Sequence, residues 1–202
     1  MLRGGILAAA VVLGAAVAAA DASSAPSSCA PPHAKILATS GNARIYSLTG
    51  AIYGCLGHRD TLLAGGPSSG PATRVGVYAL AGRYAGTDVV QMGVDTLSST
   101  VFVTDLGSGG TVATAAATTP ENRAESFTSV SALKVTSSGA LAWIGRRSAV
   151  GVPKATFEVH TLRGGSNHLL ATSTAIAPHS LALKGSTLSW SQGGRTRTAR
   201  MP

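Results

Sequence analysis

Two serines stand in strings that match catalytic motifs. Ser68 is at the centre of GPSSG at 66–70, which fits the G-x-S-x-G pattern of a serine nucleophile. That pattern works where a strand-to-helix turn lifts the serine above a parallel sheet, but here glycines and prolines surround the serine and no helical pattern follows. Ser131 and Lys134 fit S-x-x-K, yet residues three apart on a strand point to opposite faces. We interpret 66–70 as a linker and the second match as chance.

No catalytic residue, metal site or cofactor site is predicted. The histidines lack the spacing at which two imidazoles on one element share a metal ion. They are His33, His58, His160, His168 and His179. A rim site shared by His58 and His168 is an alternative, since both fall near corresponding turns of a repeat, but turn capping is the favoured interpretation. The carboxylates beyond the N-terminal leader are scattered, without the clustered ligands of a calcium loop. They are Asp60, Asp88, Asp95, Asp105, Glu121, Glu125 and Glu158.

The N-terminal residues predict export. Arg3 precedes an uncharged apolar stretch at 6–20, and Ala20-Asp21-Ala22 reads as a cleavage site, so we predict a secretory signal peptide at 1–22. The alternative is an uncleaved anchor, which the stretch disfavours because a spanning helix needs about 20 apolar residues. We expect a secreted or cell-envelope protein with no integral membrane segment after cleavage.

The formal charge of +8 arises mainly because acidic residues are scarce. Such a balance favours anionic partners, among them wall polymers, lipid headgroups and nucleic acid. Only GGRTRTAR at 193–200 resembles a basic cluster, and its favoured interpretation is an edge strand whose charges discourage pairing. No aromatic residues interleave with its arginines, so nucleic acid is not an expected partner. The expected partner is an unidentified protein or cell-envelope ligand, and self-association stays open.

Cys29 and Cys55 are the only cysteines. An even count in an exported chain predicts a disulfide, which would join the Pro- and Ser-rich arm at 23–35 to a strand around residue 55. Lipid attachment at Cys29 is disfavoured because that residue lies nine positions beyond the apolar stretch. A metal pair is also disfavoured, since zinc needs four ligands.

Both tryptophans end the same phrase. The strings SALKVTSSGALAW at 131–143 and SLALKGSTLSW at 180–190 alternate apolar and polar residues on either side of a glycine, which indicates two β-hairpins. We predict that the apolar residues of both hairpins anchor the core. They are Leu133, Leu141 and Trp143 in the first hairpin, and Leu181, Leu188 and Trp190 in the second. A sugar-stacking platform is the functional alternative for the tryptophans.

A second phrase, with a strand ending in Leu before a Gly-containing turn, occurs at 99–114, at 155–172 and more weakly at 52–65. Together the two phrases define four-stranded units at 75–117 and 131–173. The chain begins with one half of the unit and ends with the other half. We therefore predict a composite unit in which 36–65 and 179–202 share one sheet.

Repeats of this length, with four short antiparallel strands each, resemble the blades of β-propellers. The chain also resembles secreted propeller-like proteins of actinobacteria, whose blades read Leu-x-Leu, Gly and a Trp-ended strand and which mostly have no assigned activity. The resemblance covers residues 36–202 and implies an all-β fold, a small or incomplete propeller of antiparallel four-stranded units. A β-sandwich or barrel is the alternative, because it too has strands at regular spacing.

The function expected from these features is that of a secreted, non-enzymatic binding or scaffold domain of unknown ligand. The alternative is a secreted hydrolase whose active-site residues come from separate loops and leave no local motif. Whether the chain is an enzyme stays open, with the sequence favouring a binding role.

Overall fold

The computed structural model describes residues 29–65, 73–120 and 126–201, and these ranges fold entirely as β-strands, turns and loops. The predicted signal peptide, residues 23–28 of the predicted arm, Ser68, Glu121 and Glu125 lie outside the described residues. The strands are β1 (Lys35–Ser40), β2 (Ala43–Leu48), β3 (Ala51–Leu56), β4 (Arg59–Ala64), β5 (Thr73–Ala81), β6 (Tyr84–Met92), β7 (Leu97–Asp105), β8 (Gly110–Ala116), β9 (Ser126–Val135), β10 (Leu141–Ala149), β11 (Thr156–Arg163), β12 (Ser166–Ser173), β13 (Ala182–Lys184), β14 (Thr187–Gln192) and β15 (Arg195–Arg200).

The strands form four antiparallel units, each built from strands consecutive in the chain. The first unit is β1 to β4, the second β5 to β8, the third β9 to β12, and the fourth β13 to β15. A parallel bridge between Leu97 of β7 and Phe127 of β9 joins the second and third units into one eight-stranded sheet. The predicted all-β fold of antiparallel four-stranded units is therefore confirmed.

The predicted composite unit is wrong. Tyr46 lies on β2 in the first unit and Trp190 lies on β14 in the fourth, and no strand pairing joins those two sheets in the described part of the chain. The cause is a turn that the sequence reading missed. Gly41, with a φ of 55°, and Asn42 make a two-residue connection between β1 and β2, so the N-terminal segment completes its own four-stranded sheet.

The predicted hairpins are present. β9 pairs with β10 around a turn in which Gly139 has a φ of 82°, and β13 pairs with β14 around Gly185, whose φ is 59°. A positive φ at these positions is cheap for glycine and strained for any other residue. The glycines that punctuate the repeated phrases thus set the register of each hairpin.

Successive units pack face to face, with an apolar core between each pair. Ile45 and Leu106 meet between the first and second units, and Val103 meets Trp143 between the second and third. Ile144 and its neighbours meet the fourth unit. Because side chains alternate along a strand, β10 contributes to both cores, with Leu141 and Trp143 on one face and Ala142 and Ile144 on the other.

All six predicted core anchors are buried, with exposed fractions between 0 and 6%. Leu133, Leu141 and Trp143 lie between the second and third units, and Leu181, Leu188 and Trp190 lie between the third and fourth. The repeated phrase therefore has the same role twice, which is to pack a unit against the unit before it in the chain.

The predicted disulfide is confirmed. Cys29 and Cys55 are bonded, with Cα atoms 5.8 Å apart, and both are buried against Tyr46. The bond attaches the segment that precedes β1 to strand β3, and it covers the outer face of the first unit. In the entropic view, a crosslink of this kind stabilises the fold chiefly by restricting the unfolded chain.

Candidate functional site

A charged cluster is buried in the third unit. Glu158 and His160 alternate with Val159 on β11, so their side chains share one face, and they are 1% and 2% exposed. His160 Nε2 lies 2.8 Å from Glu158 Oε2, and His160 Nδ1 lies 3.1 Å from Asn167 Oδ1. Arg147 contacts the other carboxylate oxygen at 3.1 Å. Every oxygen of this buried carboxylate therefore has a partner.

The cluster holds the connection that leads out of the second unit. The backbone amide of Thr119 donates to Glu158 Oε2 at 2.7 Å, and Arg147 donates to the carbonyl oxygen of Thr119 at 3.0 Å. The indole of Trp143 stacks on the His160 ring and donates to the carbonyl oxygen of Ala117 at 2.7 Å. Glu158, His160 and Trp143 thus fasten the connection from β8 to the face of the third unit.

The electrostatic balance of Glu158 favours the ionised form. Burial raises the pKa of this carboxyl, but the hydrogen bonds from His160 and Thr119 and the positive charge of Arg147 outweigh it, and the net result is a pKa below the ordinary value. The cluster is consequently an ion pair held at neutral pH. Its arrangement is that of a structural clamp.

A second buried carboxyl, Asp88, lies on β6 where the second and third units meet. Ser99 on β7 donates a hydrogen bond to Oδ1 of Asp88, and both residues are buried. Oδ2 of Asp88 has no hydrogen-bond partner among the described atoms. Burial raises the pKa of Asp88 to about 6, although bonds from Ser99 and the Val130 amide and the charge of Arg74 act in the opposite direction.

The backbone next to Asp88 is irregular. The pairing of β5 with β6 shifts between Val75 and Tyr78, and Gly76 lies in that bulge. A side chain at Gly76 would collide with Oδ2 of Asp88. The glycine therefore makes the space that the carboxyl occupies, and the carboxyl is covered by backbone on this side.

Neither buried cluster assembles a nucleophile with a base. Asp88 and Ser99 have no histidine partner, and His160 is bonded to a carboxylate and an amide with no hydroxyl or thiol. Nucleophilic catalysis needs the hydroxyl and the base within hydrogen-bond reach of each other. In the described ranges no serine hydroxyl is hydrogen bonded to a histidine ring.

The structure separates the residues that the motifs had suggested. Ser131 donates its hydroxyl to the carbonyl oxygen of Ile144, and Lys134 is exposed on the same strand. His58 lies in the turn between β3 and β4 of the first unit, whereas His168 lies on β12 of the third, so they belong to different sheets. Ser68 lies outside the described residues.

The net positive charge belongs to one part of the chain. Residues 1–125 carry seven basic and seven acidic side chains, and residues 126–201 carry nine basic and one acidic, so the formal charge of +8 lies wholly in the latter range. That range forms the third and fourth units. Its one acid, Glu158, is buried, and all of its basic side chains except Arg147 are exposed. These two units therefore present a surface of one sign.

The strand pairs around the two tryptophans match. Trp143 on β10 lies opposite His160 on β11, and Trp190 on β14 lies opposite Arg197 on β15. The indole Nε1 of Trp190 is buried and has no acceptor in the described part of the chain, in contrast to that of Trp143. By this register, β15 is the counterpart of β11 in the repeat.

β11 and β15 differ in the charge and burial of the side chains at their corresponding positions. Glu158 and His160 are buried, and Glu158 accepts a hydrogen bond from the Thr119 amide, whereas Arg195 and Arg197, at the corresponding positions of β15, are exposed. Neither arginine forms an ion pair with an acid of the described chain. The outer strand of the fourth unit thus offers uncompensated positive charge where the third unit has a buried clamp.

The sequence analysis did not predict the buried Glu158–His160 pair, the division of charge along the chain or the burial of Asp88. Glu158-Val159-His160 is a two-residue spacing on a strand, and that spacing signals a shared face once the strand is recognised. The charge division is visible from a count along the chain, since no acid follows Glu158. Asp88 gives no local signal, because its burial depends on how β9 packs against β6.

Within the described ranges there is no group of three or more His, Cys, Asp or Glu side chains placed to share a metal ion. The same ranges contain no helix of the length and apolarity that a membrane crossing requires. No known protein family matches the chain, and no curated protein matches it either.

Proposed function

We propose that this chain is an exported, non-enzymatic binding domain for an anionic ligand of the cell envelope, and that the third and fourth units make the contact. Its units are arranged like successive blades of a small or incomplete propeller. The observation that carries the proposal is the division of charge, with +8 on residues 126–201 and zero on residues 1–125. A surface of one sign attracts ligands of the opposite sign and speeds their association.

The disulfide supports an extracellular location. Disulfides persist in oxidising compartments and are rare in reducing ones, so the Cys29–Cys55 bond fits an exported chain. The signal peptide predicted at 1–22 agrees with this location, and N-terminal sequencing of the secreted protein tests it directly. A mature N-terminus at Ser23 is the expected result.

The binding test uses short-chain polyphosphate as the probe, with fluorescence anisotropy as the measurement. We expect binding that weakens steeply as salt is raised, because the attraction is between exposed charges and is screened. Arg195→Gln with Arg197→Gln should weaken binding about tenfold, on the basis of two lost phosphate contacts. The matched control, Lys35→Gln with Arg44→Gln, removes the same charge from the first unit and should leave binding within about twofold.

Equal losses in the two double variants would show that only total charge matters and would contradict the proposal. Absence of polyphosphate binding at low salt would contradict it as well. The hydrolase alternative is tested separately with a serine-reactive fluorophosphonate. Stoichiometric labelling of one serine, abolished by its substitution with alanine, would replace the binding function with an enzymatic one.

A further inference from the structure

We infer that the outer edge of β15 is a docking edge for an acidic, extended polypeptide segment, which adds to the fourth unit as a further β-strand. This inference rests on the proposed function and specifies its ligand. β15 is the last strand of its sheet, and no strand of the described ranges pairs with its outer edge. The fourth unit has three strands where each of the other units has four.

The register shows which backbone groups of β15 point outward. Gly193 and Gly194 connect β14 to β15, and the amide of Met201 donates to the carbonyl oxygen of Ser186 at 2.8 Å. Bonding residues alternate along an antiparallel pair, so Arg195 and Arg197, at the same parity as Met201, also bond toward β14. The amides and carbonyls of the intervening residues therefore face away from the sheet. Those residues are Thr196, Thr198 and Arg200.

The outward groups are accessible. Thr196, Thr198 and Arg200 are exposed. An accessible strand edge with unpaired donors and acceptors is the template that strand addition uses, in which the main chain gives affinity and alternate side chains give specificity. A polymer without peptide groups would leave this edge unpaired, and the edge thus favours a polypeptide ligand.

The arginines determine which strand the edge accepts. A second copy of β15 would bring its own three arginines beside those of this edge, and like charges on adjacent strands are destabilising. The same side chains disfavour a neutral strand less than they disfavour a second copy of β15, and they favour an acidic strand. A second copy of this chain is therefore a poor occupant, and an acidic segment is a complementary one.

The spacing also fits. Arg195 and Arg197 are exposed on one face of the strand, about 6.8 Å apart along its axis. Acidic side chains at alternate positions of an extended segment repeat with the same spacing. Because Arg195 and Arg197 bond toward β14, they would stand at the non-hydrogen-bonded positions of the added strand, where opposing side chains are closest.

The experiment uses the purified chain and a fluorescein-labelled peptide of about eight residues that alternates Glu and Thr, a length typical of a strand. We expect the peptide to bind and to slow amide exchange at Thr196, Thr198 and Arg200. Thr198→Pro should weaken binding at least about fivefold, because proline removes an outward donor yet leaves the bonds to β14 intact. Thr198→Ala is the matched control, since it keeps the amide and should bind like the parent chain.

A change in the peptide tests the same point without altering the protein. Methylation of alternate peptide nitrogens should abolish binding, and a peptide alternating Lys and Thr should not bind. If Thr198→Pro is folded and binds the acidic peptide as tightly as Thr198→Ala, strand addition is excluded. If polyphosphate binds but the acidic peptide does not, the proposed function stands and the docking edge falls. If the parent chain binds neither polyphosphate nor the acidic peptide, both the proposed function and the docking edge are overturned.

Discussion

The indole nitrogen of Trp143 lies 2.7 Å from the carbonyl oxygen of Ala117 and donates to it, 26 residues away in the chain. This bond joins the third unit to the connection that leaves the second. Trp190 holds the equivalent place in the fourth unit and is 6% exposed, against 0% for Trp143, but its indole N–H has no acceptor among the described residues. The repeat therefore contains an internal comparison of the same residue with and without its hydrogen bond.

Trp143→Phe should destabilise the fold more than Trp190→Phe. Both changes remove similar apolar area, but only the first leaves a carbonyl without its donor, which costs about 1 kcal/mol or more. Urea unfolding of the two variants under identical conditions gives the difference. An equal loss in both would show that the Ala117 bond contributes nothing net.

Glu158→Gln should lower the free energy of unfolding by about 3 kcal/mol, since it removes the buried negative charge that faces Arg147 and His160. The control is Asp105→Asn at the Arg83 pair, whose arginine is 55% exposed, where a smaller loss is expected because solvent screens the pair. Denaturant unfolding monitored by tryptophan fluorescence measures both. Similar losses at the two sites would contradict the assignment of Glu158 as a clamp.

The lowered pKa of Glu158 also predicts that the stability of the fold depends on pH in the acidic range. Its pKa is lower in the folded chain than its ordinary value of 4.5, so the stability it contributes is complete above that value and is lost as pH falls below it. The unfolding free energy of the parent chain should decline in this range. Glu158→Gln should show a shallower decline, and an unchanged slope would contradict the prediction.

Asp88→Asn should stabilise the protein at pH 7.5. The folded pKa of about 6 is above the ordinary 3.8, so between these values the folded chain holds a proton that the unfolded chain has released, and stability falls as pH rises through this window. Above it, the buried charge costs about 3 kcal/mol, which the amide avoids. The unfolding free energies of the parent chain and of Asp88→Asn should be similar at pH 4 and should differ at pH 7.5. Lower stability of the variant at pH 7.5 would contradict the conclusion that the buried, ionised carboxylate destabilises the fold.

Replacement of Cys29 and Cys55 by Ser should lower the unfolding free energy by about 3 kcal/mol, given the 26-residue separation that the bond closes. Thermal unfolding with and without dithiothreitol makes the comparison. The parent chain should lose stability on reduction, and the double variant should be indifferent to it. A reductant effect of equal size on both would rule out the bond as its source.

The sequence predicted local features well because they depend on neighbouring residues. Glycine turns such as that at Gly139, the alternation that buries Leu141 and Trp143, and the cysteine pair were all readable from the chain. Period-2 alternation and the need for positive φ are properties of a few consecutive residues, and no tertiary information is required to recognise them.

The remaining features depend on which segments meet. The turn at Gly41 and Asn42 was overlooked because β1 reads KILATS, with little alternation, and residues 36–65 were therefore assigned to one sheet with residues 179–202. The burial of Asp88 follows from the packing of β9 across β6, and the clamp at Glu158 follows from the path of residues 117–119. Contacts at such long sequence separations leave no pattern in the chain that predicts them.

The shared cores have a consequence for motion. Among the described residues, the second and third units are covered by neighbouring units on both faces, while the fourth is covered on one face and has no disulfide such as the one that secures the first. In a linear array of this kind the least supported end opens first, ahead of global unfolding. Fraying would begin at β15, so the strand with the richest positive charge is also the one whose backbone is most readily released.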